Sequence, residues 1–584
     1  MVSIAEYLHG VDYVSDPNTL QIARHARTSV IAIVGTAPIH LVADADRPEV
    51  NEVTLVTNQL EGTRKFGADI PGYTIPSALK AIYRQGVSLA LVVNVFDHED
   101  PTHYKDVTGE VRTFDSSDRL VASQLGIYNI ALKSSDANTT YTAGVDYIVE
   151  PASGEFIRIP SGAIEAEAEV QLDFRYGVPR GSRTVVTDEA QTFTTDTITV
   201  SNTPPVLDVV MTSDDGNTTY VEGTDYTVNL ATGTITRIGG GSILAAADVL
   251  VDYTYGDPLG VTEADIVGDT IGGSSRTGMQ ELLSGYSKYG FNGRILIAPG
   301  YSTSPYVASS MRAVADRILA HAGVDAPLGT TRDEAISGRN GIGPAQNFAT
   351  SSNRQANLFP HVRSVDGDIE PLSQYWAGAF ARRHAEAGFW WSPSNIEVNG
   401  VGGLEYKLTS SHVDPTADIQ LLNASGVVTM YGATSSSSFG TGYRIWGNRS
   451  AAFPSDTAPS NFIVIQVIED QIRIALERAM LPYIDRPISP ATISLIIQTA
   501  NNYLAKLIQL NALIDGNTFF AAEDNLVSDI ANGQLTVRLE HAGPPPLERL
   551  IIRGRYNENF LTRLGARTLG EAAVGIAGNQ ALLA

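Results

Sequence analysis

Over the first hundred positions, stretches that are apolar on every side alternate with one of helical periodicity. "SVIAIVGTAP" (Ser29 to Pro38) and "SLALVVNVF" (Ser88 to Phe96) have no polar face, which predicts strands buried on both sides of a sheet. Between them, "IPSALKAIYRQG" (Ile75 to Gly86) spaces Ala78, Leu79, Ile82 and Tyr83 as one helical face, with a proline in its first turn and a glycine at its end. The signal returns after Gly260. "TGMQELLSGYSKYG" (Thr277 to Gly290) sets Met279, Leu282, Leu283 and Tyr286 on one face, and "RILIAPG" (Arg294 to Gly300) is another buried strand. "VASSMRAVADRILAHAG" (Val307 to Gly323) is an amphipathic helix with Met311, Val314, Ala315, Ile318 and Leu319 inward.

From about Val107 to Gly256 the period changes to two. Runs such as "TITVSN" and "VLVDYTYG" alternate, and turn pairs such as Asp215-Gly216 separate them. The region repeats itself. "NTTYTAGVDYIVEPASGEFIRI" (Asn138 to Ile159) lies over "NTTYVEGTDYTVNLATGTITRI" (Asn217 to Ile238) at an offset of 79 without a gap. The likeness extends to "VQLDFRYG" (Val170 to Gly177) over "VLVDYTYG" (Val249 to Gly256), and to "VTGEVRTF" (Val107 to Phe114) over "VTDEAQTF" (Val186 to Phe193). Two copies are too few to share a solenoid core, so each is expected to close its own as a small antiparallel β-domain. The strand ending at Phe96 lies before this insertion, and its partner is expected after it. Insertions of this kind are tolerated at exposed loops of a rigid domain.

The last third predicts two long helices and two strands. "NFIVIQVIEDQIRIALERAMLPYI" (Asn461 to Ile484) stacks Val464, Val467, Ile468, Ile472, Leu476 and Met480. "SPATISLIIQTANNYLAKLIQLNALIDG" (Ser489 to Gly516) opens with an N-cap serine and an N1 proline, with Gly516 as its stop. The strands are "GQLTVRLEHAG" (Gly533 to Gly543) and "LERLIIRGRY" (Leu547 to Tyr556), on either side of "PPP". The fold class is therefore a multidomain α/β (α+β) core split in sequence, with a tandem-duplicated all-β insertion.

Composition narrows the function. A chain of 584 residues is too long for one core and gives a prior of about three or four domains. Its 43% hydrophobic and 18% charged residues are ordinary globular material, not the composition of disorder. A formal charge of -24 without a Lys/Arg cluster argues against nucleic-acid binding. Zero cysteines remove disulfides, thiolate zinc sites and cysteine nucleophiles together. The opening residues have no basic region before an apolar one, and no run of about 18 apolar residues occurs. A soluble protein made in the cytoplasm is expected, without stable membrane insertion.

Candidate chemistry is sparse. There is no G-x-x-x-x-G-K-[ST] loop; "GRNGIG" (Gly338 to Gly343) lacks its lysine and reads as a plain loop. "HEDPTH" groups His98, Glu99, Asp100 and His103, but Pro101 and the spacing favour a solvated strand-end loop over a metal site. "SDDGNTTY" (Ser213 to Tyr220) lacks the spacing and closing glutamate of a calcium loop and reads as a turn. "WAGAFARRHAEAGFWW" (Trp376 to Trp391) reads as a helix with a core aromatic face, whose Arg382 and Arg383 meet a carboxylate; a polyanion site is the weaker reading. No catalytic residue, cofactor or metal is expected, so an enzyme is not.

Several stretches resemble one family. "HGVDYV" (His9 to Val14), "ARTSVIAIVGTAP" (Ala26 to Pro38) and "FGADIPGYTIPSALKAIYRQG" (Phe66 to Gly86) resemble the N-terminal signature of contractile tail sheath proteins of phages and related injection machines. "YRIWGNRSAAF" (Tyr443 to Phe453), and the block from "VIEDQIRIALE" at Val467 to Tyr556, resemble its C-terminal signature. The likeness spans roughly Met1 to Phe96 and Gly260 to Tyr556, on both sides of the β insertion.

The resemblance implies a structural subunit that polymerises helically around a tail tube and contracts from a metastable extended state, driving the tube through the host envelope. It implies an N-terminal arm (1–20), a core (21–105 and 259–450), outward β-domains (106–180 and 181–258), a C-terminal sheath domain (451–557) and a C-terminal extension (558–584). The arms would add strands to neighbours' sheets, with Val11, Tyr13, Val14, Phe560 and Leu561 at the contacts. Implied partners are further copies of the chain in hexameric rings, the tail tube protein, and baseplate and tail-terminator proteins. The implied location is the virion tail, assembled in the host cytoplasm. The alternative is a surface adhesin or decoration protein that binds glycan or protein through its tandem β-modules.

Overall fold

In the computed structural model, the residues described are 27–86, 89–181, 183–202, 206–229, 232–256, 259–272, 275–411, 413–433 and 442–561. They fall into two compact units, which meet in sequence at Pro545 and Pro546. The first unit is mixed α/β.

Its centre is a nine-stranded sheet. In spatial order the strands are Thr54–Val56, Leu89–Asn94, Val30–Gly35, Ile295–Ile297, His321–Asp325, Gln355–Leu358, Val427–Ala433, Gly442–Trp446 and Glu397–Val398. The six inner strands are parallel, and antiparallel strands close both ends. Such a sheet is covered on both faces, and the apolar runs divide between two cores. Ile31, Ile33, Ala90, Val92, Ile295 and Ile297 join the helices Thr74–Gln85, Leu372–Ala387 and Ile463–Met480. Val30, Ala32, Val34, Leu91, Val93 and Leu296 join the helix Pro305–Ile318. The strand Leu89–Asn94 is flanked by Thr54–Val56 and Val30–Gly35, both before the insertion. The expected partner beyond the insertion belongs instead to Val30–Gly35, which pairs Ile31 with Ala90 on one side and with Ile295 on the other.

Between Tyr104 and Gly256 every strand pairs within its own copy of the repeat. One core holds Phe114, Leu120, Ile127, Leu132, Tyr147, Phe156, Ile164, Val170, Leu172 and Phe174. The other holds Phe193, Ile198, Val206, Met211, Tyr226, Ile235, Ile243, Val249, Val251 and Tyr253, its counterpart position by position. The polar ties repeat as well. Arg158 pairs with Asp118 at 2.7 Å and Arg237 with Asp196 at 2.5 Å, and each guanidinium also donates to a backbone carbonyl, of Ile164 or Ile243. The two copies spring from one root. There Val178 N donates to His103 O (2.7 Å), Val261 N to Val178 O (3.2 Å), Gly181 N to Val261 O (3.1 Å) and Gly260 N to Thr102 O (2.5 Å). Gly260 has φ +110°, and a Cβ there would stand 2.7 Å from Gly181 N, so only glycine fits this crossing.

Five sequence expectations are corrected. Thr277 to Gly290 forms a 3-10 stretch, Gly278–Ser284, and a short α-turn, Gly285–Tyr289, because three glycines interrupt it; Tyr286 is half exposed. The helix from Pro305 stops at Ile318, Leu319 turns left-handed (φ 55°), and His321–Asp325 is a strand. The helix from Ile463 ends at Met480, before a 3-10 turn at Leu481–Tyr483 containing Pro482. The helix from Pro490 ends at Gln509, and Gly516 lies in a strand. Leu547 to Tyr556 is not a strand, since it has no neighbour to pair with among the described residues.

One buried ion pair ties the helix Ile463–Met480 to the sheet. Arg354, next to the strand Gln355–Leu358, grips Asp470 with two hydrogen bonds, one of them 2.8 Å, and both side chains are over nine-tenths buried. Replacing Asp470 with alanine leaves the buried guanidinium only the largely exposed Asp316 at 3.5 Å and is expected to cost about 3 kcal/mol. The double change Arg354→Met/Asp470→Leu should recover most of that loss in urea unfolding, because no lone charge remains.

Candidate assembly surface

The features that could engage another molecule gather near the C-terminus. Ser489 caps the helix Pro490–Gln509 by accepting from Thr492 N at 3.2 Å. Only its second half is anchored, through Thr499, Ala500, Tyr503, Leu504 and Leu507. Its first turns carry Ile493, Leu495, Ile496 and Ile497 half-buried or exposed, and the preceding turn exposes Leu481 and Ile484.

After this helix, Asp515–Phe519 pairs antiparallel with Arg538–Ala542, with Thr518 opposite Leu539 and Gly516 opposite His541. Among the described residues the sheet has two strands, so each is an edge. Asn501 occupies one edge: its amide donates to Thr518 O (3.0 Å) and its carbonyl accepts from Thr518 N (2.6 Å). The edge of Arg538–Ala542 carries no third strand among the described residues. Edges of this kind can accept an added strand from another chain.

The second unit, from Pro546, is described to Leu561. It exposes Leu547, Leu550, Ile551, Ile552 and Tyr556, with Leu547 and Ile552 at 78% and 83%. Phe560 and Leu561 lie on a 3-10 turn, Glu558–Leu561, and are exposed too. Val11, Tyr13 and Val14 lie outside the described residues. The notable signal is a cluster of large apolar residues, Leu550 to Ile552, next to arginines. The sequence pattern reads it as a strand, whereas it forms none and its side chains are exposed.

The other candidate groups prove structural. His103 is buried; its Nδ1 accepts from Asp97 N at 3.1 Å and its Nε2 lies 3.7 Å from Asp265, beside the root of the insertion. Burial lowers this imidazole and the Asp265 partner more than offsets it, so its pKa is raised. No group of three or more His, Asp or Glu is placed to hold a metal ion among the described residues. Asp215 accepts from Ser213 Oγ (2.5 Å) and Asn217 N (3.1 Å), a closed turn that Asp136 repeats in the first copy. Trp376 is buried as expected, but Arg382 and Arg383 form no ion pair with a carboxylate among the described residues; they donate to the carbonyls of Glu397 and Asn395. No helix among the described residues is long and apolar enough to cross a membrane.

Residues 272–451 match the family model described as phage tail sheath protein central domain. The tail sheath protein of Burkholderia phage BcepMu is 31% identical over 566 residues, covering 96% of this chain and 99% of that one. The tail sheath protein of Escherichia phage P2 is 27% identical over 52% of this chain and 74% of its own. Among solved structures, the helical sheath of the anti-feeding prophage in its contracted state aligns over 94% of this chain and 99% of its own. Its TM-score is 0.50 at 12% identity, a likeness of fold.

Proposed function

Because the chain belongs to the contractile tail sheath family, we propose that it is a virion tail subunit that polymerises as a helix around a tail tube and works by contraction. The observation that carries this is the apolar segment from Leu547 to Tyr556, where five large side chains stand exposed within ten residues. A contact that runs from one subunit to a different surface of the next builds a ring where the rotation closes and a helical filament where it does not. Contraction then draws on the difference between two sets of such contacts, and needs no nucleotide. The extended segment and the N-terminal residues around Val11, Tyr13 and Val14 serve as arms, and the open edge of Arg538–Ala542 receives one of them. Phe560 and Leu561 extend the C-terminal arm. Stacked hexameric rings, a tail tube protein, and baseplate and terminator proteins complete the assembly, which has no catalytic step and no direct nucleic-acid contact.

The body is one core domain (21–105 and 259–450), split by two outward β-domains (106–180 and 181–258) and followed by a C-terminal sheath domain (451–557). The common root of the two copies, and the 22 acidic against 9 basic residues of 104–256, suit a solvated outer surface. The glycan-binding alternative gains no support, because no aromatic ring within the described residues of 104–256 is exposed, and sugar faces are held by exposed rings.

The full chain expressed alone and viewed by negative-stain electron microscopy is expected to form long hollow tubes of uniform width. A chain with 104–256 replaced by a short Gly-Ser linker should form tubes of smaller outer diameter. Monomers at every concentration tested, with and without tube protein, would overturn the reading.

A further inference from the structure

Beneath the helix Ile463–Met480 lies a cavity of about 10 Å3, lined by Thr28, Arg294, His321, His384, Asp470 and Gln471 among apolar neighbours. That is room for about one water molecule. His321 and His384 are buried, and all four of their ring nitrogens lack a hydrogen-bond partner among the described residues, as does Arg294 Nε. His384 has the Thr28 backbone beside it without a bond of normal geometry, and packs edge-on against Phe380 at 4.5 Å. His321 sits on a central strand, His384 on the helix Leu372–Ala387, and Asp470 on the helix above. Three elements therefore meet at one polar point. A packed core normally leaves no such point unless apolar residues replace it or polar partners fill it.

We propose that this cluster is an acid-release lock, which holds the helix Ile463–Met480 on the central sheet while both imidazoles are neutral and frees it when they take up protons. The charges around it leave no other outcome. Arg294, just before the strand Ile295–Ile297, and Arg354, just before the strand Gln355–Leu358, are both cationic. Arg478 on the helix adds a third cation. Against them stand Asp470, already gripped by Arg354, Asp316 on the opposite helix at 3.5 Å from Arg354, and Glu477. Arg382, Arg383 and Glu386 complete the charges on the helix of His384, which faces the cluster. An imidazolium here gains no carboxylate of its own and lies close to two guanidiniums.

The direction of the effect follows from burial. Burial pushes His384 down to about 3 and His321 well below its usual 6.5, with Arg354 and the neighbouring histidine adding to the second. A depressed histidine gives its full contribution above the unfolded value of 6.5 and loses it as the pH falls from there toward the folded value. Asp470 works in the opposite sense, because burial raises its carboxyl against the pull of Arg354. The informative quantity is therefore the difference made by the histidines alone. The helix leads into residues 481–545, which hold the exposed helix turns and the open strand edge proposed for assembly, so release would free that surface. The lock belongs to the fold of one chain and stands whether or not that assembly reading holds.

Hydrogen exchange of the full chain, corrected for the intrinsic rate, tests it at pH 7.5 and pH 5. Protection of the amides of 463–480 is expected to fall by roughly tenfold or more at pH 5. The helix Pro305–Ile318, on the other face of the sheet, should keep its protection. In His321→Gln/His384→Gln the fall should vanish. Equal protection of 463–480 at the two pH values, a loss shared by 305–318, or an unchanged fall in the double variant would each overturn the lock. Should that variant fail to fold, the comparison of the two helices in the unaltered chain decides.

Discussion

Replacing Arg339 with methionine is expected to destabilise the central body by about 5 kcal/mol, the largest loss from any single side chain outside the hydrophobic cores. Its guanidinium donates to five backbone carbonyls: Ser425 (3.0 Å), Phe348 (2.6 Å), Thr350 (2.7 Å), Ala451 (2.5 Å) and Phe453 (2.9 Å). These carbonyls come from three segments far apart in sequence, so one planar fork closes three chain crossings. Burial lowers the group only to about 10, which leaves it charged at neutral pH. Each carbonyl deprived of its donor costs about 1–3 kcal/mol, less whatever water restores. Lysine should rescue only in part, since three tetrahedral donors cannot reach five acceptors arranged around a plane. Arg473→Ala is the control: its pairing with Glu477 at 2.8 Å is exposed and should cost no more than about 0.5 kcal/mol. Tryptophan fluorescence in a urea titration reports the body selectively, because all four tryptophans (Trp376, Trp390, Trp391 and Trp446) lie outside the β insertion.

Arg339 also marks the limit of what the sequence discloses. "GRNGIG" reads as a plain loop, and locally it is one, but a residue whose partners are distant carbonyls leaves no periodicity or spacing behind. The strands Val30–Gly35 and Leu89–Asn94 are legible because burial on both faces demands continuous apolar side chains. Gln355–Leu358 is equally buried and is missed, because Gln355 and Asn357 are polar; Gln355 Nε2 donates to Asn357 Oδ1 at 2.6 Å. His321–Asp325 is hidden by the apolar residues that run into it from a helix, with the break set by the left-handed Leu319. The repeat is plain in sequence because the same core and the same Asp–Arg tie were kept twice. The shared root is not, since it depends on backbone bonds among three separated segments. For the candidate surface the sequence supplies the apolar residues from Leu547 to Leu561, and the family resemblance supplies their use. That their side chains are exposed follows from the structure alone.

Ending the chain at Pro545 is expected to abolish tube formation while leaving the body folded. No buried apolar residue occurs among the described residues beyond Ala521, so the truncation removes nothing from either sheet-centred core. Far-UV circular dichroism and the tryptophan transition should therefore match those of the full chain. The lost term is intermolecular. Burying a large aliphatic or aromatic side chain contributes about 1.5–3 kcal/mol. Leu547, Leu550, Ile551, Ile552 and Tyr556 thus supply on the order of 10 kcal/mol per contact, before the cost of ordering the segment. A filament forms this contact at every subunit, so its loss acts at every step of growth. Ile551→Asp/Ile552→Asp, which adds charge at the same place without shortening the chain, should raise the concentration needed for tubes or prevent them. Tubes of unchanged width from the truncated chain would sink the arm reading but not the family. The subunit contacts would then have to come from the exposed first turns of the helix Pro490–Gln509, where Leu495→Asp becomes the decisive change.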